Sequence, residues 1–195
     1  MAGKGERTRQ AILDAAIDRF GRDGFRSSSV ADISRDAGVT GSLAYAYFPN
    51  KEALFLAALD EDAARVIHEG VSHILTETRG PDWQASLVVT LLDALGRHPL
   101  ARRVLAGREP DVTDRVVNIP AMLELRKAIA ERLREDQLVG TVRSDIDPVA
   151  VGDGLVTITM SLLMAVLQFG TDMLGDLGPG LWSVVTAALD PPATT

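Results

Sequence analysis

The sequence predicts an all-α protein, with a compact three-helix helix-turn-helix unit at the N-terminus followed by a larger helical body. Three observations lead there. Apolar residues recur at three- and four-residue spacing along most of the chain. No run of alternating apolar and polar residues is bounded by hairpin turns. Cap residues, Gly and Pro fall at the ends of the periodic stretches. With 195 residues, 46% hydrophobic and 24% charged, the composition is that of a globular protein and excludes disordered or collagen-like classes.

The first helix spans about Thr8 to Asp23, with Ile12, Ala16 and Phe20 on one stripe and Leu13 and Ile17 broadening it. Gly24 stands where a left-handed residue ends a helix, and Phe25 folds back on the last turn. Ser29-Val30-Ala31-Asp32 reads as a capping-box variant opening a short second helix whose inner face is Val30, Ile33 and Ala37. Gly38-Val39-Thr40 breaks the chain before a third short helix reaching about Tyr47. Two short helices around a Gly-containing turn form a helix-turn-helix. Pro49 then stops the chain, and Asn50 caps a long helix running from Lys51 to about Thr78.

In the body, helices are expected from Trp83 to Arg97, Leu100 to Gly107, Asn118 to Leu138, Pro148 to Gly170 and Gly180 to Leu189, ended by Pro191 and Pro192. Ala106 to Asn118 and Asp172 to Gly180 read as loops, being rich in Gly, Pro and Asp. Asp147-Pro148 is a start signal, with Asp at the cap and Pro at the first helical position. The helix that follows is apolar nearly all round. Its uncharged stretch between Asp153 and Asp172 is long enough to span a membrane but lacks aromatic belts and basic flanks, so a buried or interfacial helix is expected.

Charge is uneven along the chain. Residues 1–55 carry eight Lys or Arg against seven acids, whereas the remainder carries twelve against twenty. A near-neutral head on an acidic body confines contact with a polyanion to the head. The polar, basic segment Met1 to Gln10 is not a secretory signal. Cys is absent, which excludes disulfide frameworks, thiolate metal sites and cysteine nucleophiles and fits a reducing cytoplasm. His68 and His73 are five residues apart and His98 is isolated, so none is read as a metal ligand. Asp145-Ile146-Asp147 lacks the Gly and terminal Glu of a calcium loop. Nucleophile-elbow, P-loop, dinucleotide-glycine and zinc-protease motifs are missing. No catalytic residue, metal or cofactor is expected.

Groove recognition requires a short helix anchored from behind, with small or hydrogen-bonding groups in front. Thr40 to Phe48 supplies one, with Ala44 and Phe48 as anchors. Hydroxyls on Ser28, Ser29, Thr40, Tyr45 and Tyr47 can reach phosphate oxygens, and Lys51 joins a charge to the backbone donors of a helix N-terminus. Gly41, Ser42, Leu43 and Ala46 are left to read base edges. Half-buried packing is the alternative for Tyr45 and Tyr47, and the Arg7/Arg9 arm reads as solvated charge or as a DNA contact.

Ala11-Ile-Leu-Asp-Ala-Ala16, Phe20, Gly24, Ser29-Val30, Ile33, Ala37-Gly-Val-Thr40, Tyr45, Tyr47-Phe48 and Lys51-Glu-Ala-Leu54 together resemble the TetR family of bacterial transcriptional regulators. The resemblance covers residues 8–55, and beyond them extends only to the helical layout. It implies a DNA-binding domain over residues 1–50 and a ligand-binding and dimerisation domain over 51–195. It further implies a cytoplasmic homodimer that holds two recognition helices on a palindromic double-stranded DNA operator and releases it when a small molecule binds. The family's DNA-contact positions fall on Ser28, Ser29, Thr40, Gly41, Ser42, Leu43, Tyr45, Tyr47 and Lys51. Gly41, Ser42 and Ala44 depart from the family's usual long polar residue, Gly and Leu. The departure at Gly41 removes one base contact and leaves a second reading open: an all-helical small-molecule binding protein whose recognition helix has drifted.

A helix apolar on two faces needs two covers, and a partner subunit supplies the second. Leu155, Ile158, Leu162 and Phe169, with Trp182, Val185 and Leu189 of the last helix, are the expected dimer interface. Trp83, Met122, Met160 and Met164 are the candidate lining of a pocket for a hydrophobic effector, with ordinary core packing as the alternative.

Overall fold

The computed structural model describes residues 3–77, 83–110 and 119–191. Among them are nine helices and no strand: α1 (Lys4–Ser27), α2 (Val30–Asp36), α3 (Gly41–Tyr47), α4 (Lys51–Glu77), α5 (Trp83–Leu95), α6 (Pro99–Leu105), α7 (Pro120–Leu138), α8 (Pro148–Phe169) and α9 (Met173–Leu189). The expected all-α class is what the chain adopts. Several expectations fall outside the described residues: the loop over 111–118 with its helix start at Asn118, the C-terminal end of the fourth helix at Thr78, the His73 side chain and Pro192.

The head is organised by side chains that cap the helix they precede. Ser29 Oγ accepts from Asp32 N–H at 3.1 Å and donates to the Asp32 carboxylate at 2.7 Å, so the box closes through the hydroxyl. Thr40 Oγ1 accepts from Leu43 N–H at 3.3 Å, and Asn50 Oδ1 from Ala53 N–H at 2.7 Å. Gly24 has φ 83° and ψ 167°, a conformation open essentially to Gly alone and extended in ψ, unlike the left-handed helical cap expected there. It bends the chain so that Phe20, Phe25 and Phe55 meet, with Phe55 edge-on to Phe20 at 5.0 Å and to Phe25 at 5.2 Å. The cluster ties α1 to α4.

The body is organised from α4. Asp62, buried on α4, accepts the N–H groups of Leu100 and Ala101 at 3.1 and 2.8 Å and lies 2.8 Å from His98 Nδ1. Asp60 accepts from Ala121 N–H at 3.1 Å. Neither α6 nor α7 has a side-chain cap from its own N-cap residue, so carboxylates on α4 accept from the free N–H groups at both helix starts. α7 lies between α4 and α8, and α8 is covered in turn by α9. By length and composition α8 is the one described helix able to cross a membrane. Its Leu155, Val156, Leu162, Leu163 and Val166 are buried within the protein, and 33% of its apolar stretch is buried in all.

The expected loop over Asp172 to Gly180 is corrected. Met173–Leu189 is continuous helix with Pro179 inside it. A proline within a helix costs about 3 kcal/mol. Leu174, Leu181 and Val185 face α5 and α8 from this helix, and burial of apolar side chains, worth about 1.5–3 kcal/mol each when complete, offsets that cost.

Candidate nucleic-acid interface

The interface begins with the back of α3. Ala44 is fully buried and Phe48 nearly so, against a core that includes Ile12, Leu13, Val30 and Ile33. The front is open: Ser42 and Ala46 are exposed, Leu43 is 40% exposed and Tyr45 53%. Gly41 opens the helix, and the Thr40 and Ser42 hydroxyls are 3.1 Å apart at its start. A seven-residue helix is too short to hold itself in water, so the buried back and the Thr40 cap set its direction.

Not every hydroxyl and cation expected at this surface points outward. Ser28 is buried, and its Oγ donates to the Gly24 carbonyl at 2.7 Å. Lys51 Nζ donates to the carbonyls of Phe25 and Ser28 at 2.9 and 3.1 Å and lies 4.3 Å from the Phe25 ring centroid. Both residues close the end of α1, where the break at Gly24 leaves carbonyl groups without helical partners. Ser29 is half-buried and occupied by its cap, while Tyr47 is half-buried beside α1. A Cβ on Gly5 would lie 3.3 Å from the Tyr47 hydroxyl, so the first turns of α1, where Lys4 and Arg7 are exposed, begin beside α3. Lys4 was missed in the sequence because the first helix begins four residues before the expected start at Thr8, ahead of its apolar stripe. Arg9 instead lies with its guanidinium carbon 5.5 Å from the Phe48 ring centroid.

On the flank away from this edge, Arg19 donates to Asp36 at 2.7 Å and lies near Asp23 and Asp32. Arg19 holds the Asp36 carboxyl below its ordinary range. Asp32 is held low first by the Ser29 hydroxyl and then by Arg19 and Arg35, and Asp23 chiefly by Arg22. These carboxylates stay ionised, and their cations are engaged within the head.

Two contacts join head to body. A Cβ on Gly21 would lie 2.7 Å from Pro99 Cβ, so the start of α6 rests directly on α1. At Gly24, a Cβ would strike Arg103 and Glu109 at 2.5 and 2.7 Å, while Glu109 accepts from Phe25 N–H at 3.2 Å and from Arg103 Nε at 2.7 Å.

The candidate pocket residues divide between two apolar cavities. Met122 and Met160 border a space of about 40 Å³ enclosed by α4 to α8. Trp83 borders a space of about 280 Å³ between α5, α8 and α9. Met164 packs against the core and borders neither. The expected dimer residues also divide. Leu155, Leu162, Val185 and Leu189 are buried within the protomer and Ile158 is half-buried, because the α8 face that carries them turns toward α5 and α9. Phe169 at 74% and Trp182 at 37% exposure do reach the surface.

Residues 12–58 match the family described as bacterial regulatory proteins, tetR family. Over these residues the chain is similar to the TetR family. It is 26% identical over 172 residues to the HTH-type transcriptional regulator UidR of Escherichia coli (strain K12), covering 84% of this chain and 83% of UidR. The HTH-type transcriptional repressor NicS of Pseudomonas putida is 28% identical over 147 residues, covering 75% of this chain and 65% of NicS. Among solved TetR-like folds, Salmonella enterica GusR superposes with a TM-score of 0.64 at 22% identity, over 96% of this chain and 97% of GusR. Bacillus subtilis FadR, solved with stearoyl-CoA, superposes with a TM-score of 0.69 at 17% identity, over 92% and 98%. UidR and NicS are both transcriptional regulators by name.

Proposed function

We propose that this TetR-family protein is a cytoplasmic homodimeric repressor that holds a palindromic operator and releases it when a small hydrophobic molecule binds its body. Residues 1–50 form the DNA-binding domain and 51–195 the ligand-binding and dimerisation domain. The observation that carries the reading is α3, sealed behind by Ala44 and Phe48 and bare in front. Gly41, Ser42, Leu43 and Ala46 face base edges, while Thr40, Tyr45 and Tyr47, with Lys4 and Arg7, contact phosphates. Ser29 contributes through the donors of the helix start it caps. Ser28 and Lys51 act on the interface from behind, by fixing the end of α1. The two subunits meet through Phe169 and Trp182 with the exposed Thr157, Ser161 and Val184 beside them on α8 and α9. The seating of α6 on Gly21 and the Glu109 contact at Gly24 give the body a mechanical hold on α1, and a ligand that displaces α6 shifts the head. Apolar cavities in the body and the stearoyl-CoA complex of FadR support a ligand-responsive role.

Fluorescence anisotropy of the full chain against its own upstream duplex and a scrambled one, at several salt concentrations, tests the proposal. The expected result is a specific complex whose log affinity falls with log salt at about −0.9 per phosphate neutralised. Tyr45→Phe is expected to weaken both duplexes alike, and Ser42→Ala to change preference at particular base pairs. Equal affinity for the two duplexes would favour the drifted-module reading, for which Gly41 is the supporting feature. A monomeric mass by sedimentation at micromolar concentration would remove the dimer.

A further inference from the structure

The two tryptophans of the chain, far apart in sequence, border one cavity. Trp83 forms its inner wall from α5, and Trp182 its rim from α9. Leu155 and Leu162 of α8 lie between them, Thr159 brings a hydroxyl, and Gly178 leaves part of the α9 wall without a side chain. No charged side chain lines this space among the described residues. The polar edge of Trp83 is turned away from it: indole Nε1 donates to Asp136 at 3.1 Å, and Asp136 is paired at 3.0 Å with Arg132, whose guanidinium carbon lies 5.6 Å from the Trp83 ring centroid. Two side chains of α7, Asp136 and Arg132, thus fix this indole by its polar edge and across its ring, and Trp83, 1% exposed, is a rigid part of the cavity wall.

We propose that this cavity binds a neutral, ring-bearing hydrophobic molecule of about a dozen non-hydrogen atoms. As the effector's site, it rests on the regulatory reading above. Its size follows from the volume: a dry apolar cavity of about 150 Å³ holds benzene, and this one is about 280 Å³. Ring preference follows from the open indole of Trp182 at the rim, which favours offset or edge-on contact with a flat partner. Neutrality follows from the lining and from the acidic body, whose twelve basic against twenty acidic residues disfavour an anion at its mouth. A thioester of coenzyme A is therefore the wrong class for this site, although the fold is shared with a protein that holds one. The smaller cavity around Met122 and Met160, at about 40 Å³, has room for a water-sized group and no more.

Calorimetric titration of the full chain with 2-naphthol, and with 2-naphthalenesulfonate as its anionic counterpart, tests this. The naphthol is expected to bind at micromolar concentration and the sulfonate at least tenfold more weakly. Gly178→Leu is the blocking variant. A Cβ there meets no atom within 4 Å beyond its chain neighbours, so a leucine side chain has space to fill, and circular dichroism checks that the helix accepts it before Pro179. It is expected to weaken naphthol binding at least tenfold with unchanged helical circular dichroism. Val88→Phe, on the α5 wall and outside the subunit seam, is a second blocking variant expected to lose affinity should Gly178→Leu fail to fold. Naphthol binding unaltered in the blocking variant, equal binding of the sulfonate, or no binding by the unmodified chain would each overturn the proposal. Upstream-duplex affinity measured on the same samples separates this failure from that of the regulator reading: loss of specific DNA binding alone removes the latter and leaves the cavity assignment standing.

Discussion

The first helix starts along the chain and those of α6 and α7 in the body are made in different ways. α2, α3 and α4 each start at a residue whose own side chain takes a donor three positions on: Ser29, Thr40 and Asn50. α6 and α7 start where Asp62 and Asp60 of α4 reach across to them from 38 and 61 residues earlier in the chain. A local cap works as soon as one turn forms. A remote one exists only once α4 has docked, so the body's short helices owe their boundaries to the packed structure. The head thereby takes its helix starts from neighbouring residues, whereas α6 and α7 of the body are held by one long rod that enters the head directly.

The largest expected effect is at Asp62. Asp62→Ala leaves the N–H groups of Leu100 and Ala101 and the ring of His98 without a buried partner and is expected to cost about 3 kcal/mol. Chemical denaturation measures it. A cost under about 1 kcal/mol would mean that α6 starts without α4 and would break the contrast. Ser29→Ala and Thr40→Ala follow, each costing about 1 kcal/mol, typical of a lost helix cap. Beyond that cost, Thr40→Ala is expected to loosen the direction of α3 and weaken specific DNA binding severalfold, whereas Asp60→Ala is not. Anisotropy with the upstream duplex decides between them, and equal losses would erase the distinction between local and remote caps.

The smallest effect is acid sensitivity of the head. Asp23, Asp32 and Asp36 have carboxyl groups held below their ordinary value. Their contribution is therefore complete above about pH 4 and is lost as pH falls through the lower folded values. Arg19→Ala is expected to flatten that acid decline in the thermal midpoint and leave neutral pH nearly unchanged, since exposed pairs contribute little. An identical decline in the variant would show that the Arg19 cluster plays no part in it.

The head was legible because its signals are short-range. Ser29, Gly38, Thr40, Pro49 and Asn50 mark turns and caps within four residues of the groups they serve, and Ala44 and Phe48 share one face by helical period alone. The same approach failed for Lys51. Its position at a helix start suggests an outward charge, but the break at Gly24 presents two carbonyls that only the folded head brings within 2.9 and 3.1 Å of its ammonium. It failed at Pro179 as well, where proline and glycine argue for a loop and packing against α5 and α8 keeps the helix.

Helical periodicity and neighbouring caps thus establish the all-α class, the helix-turn-helix and the anchored back of α3, because each depends on residues within a turn of one another. Which apolar face of α8 is buried against α5 and α9, where α6 and α7 begin, and that Trp83 and Trp182 share one cavity are settled only in three dimensions. Leucine, valine and tryptophan carry the same hydrophobic gain against any surface, and only the assembled helices determine which surface each one meets.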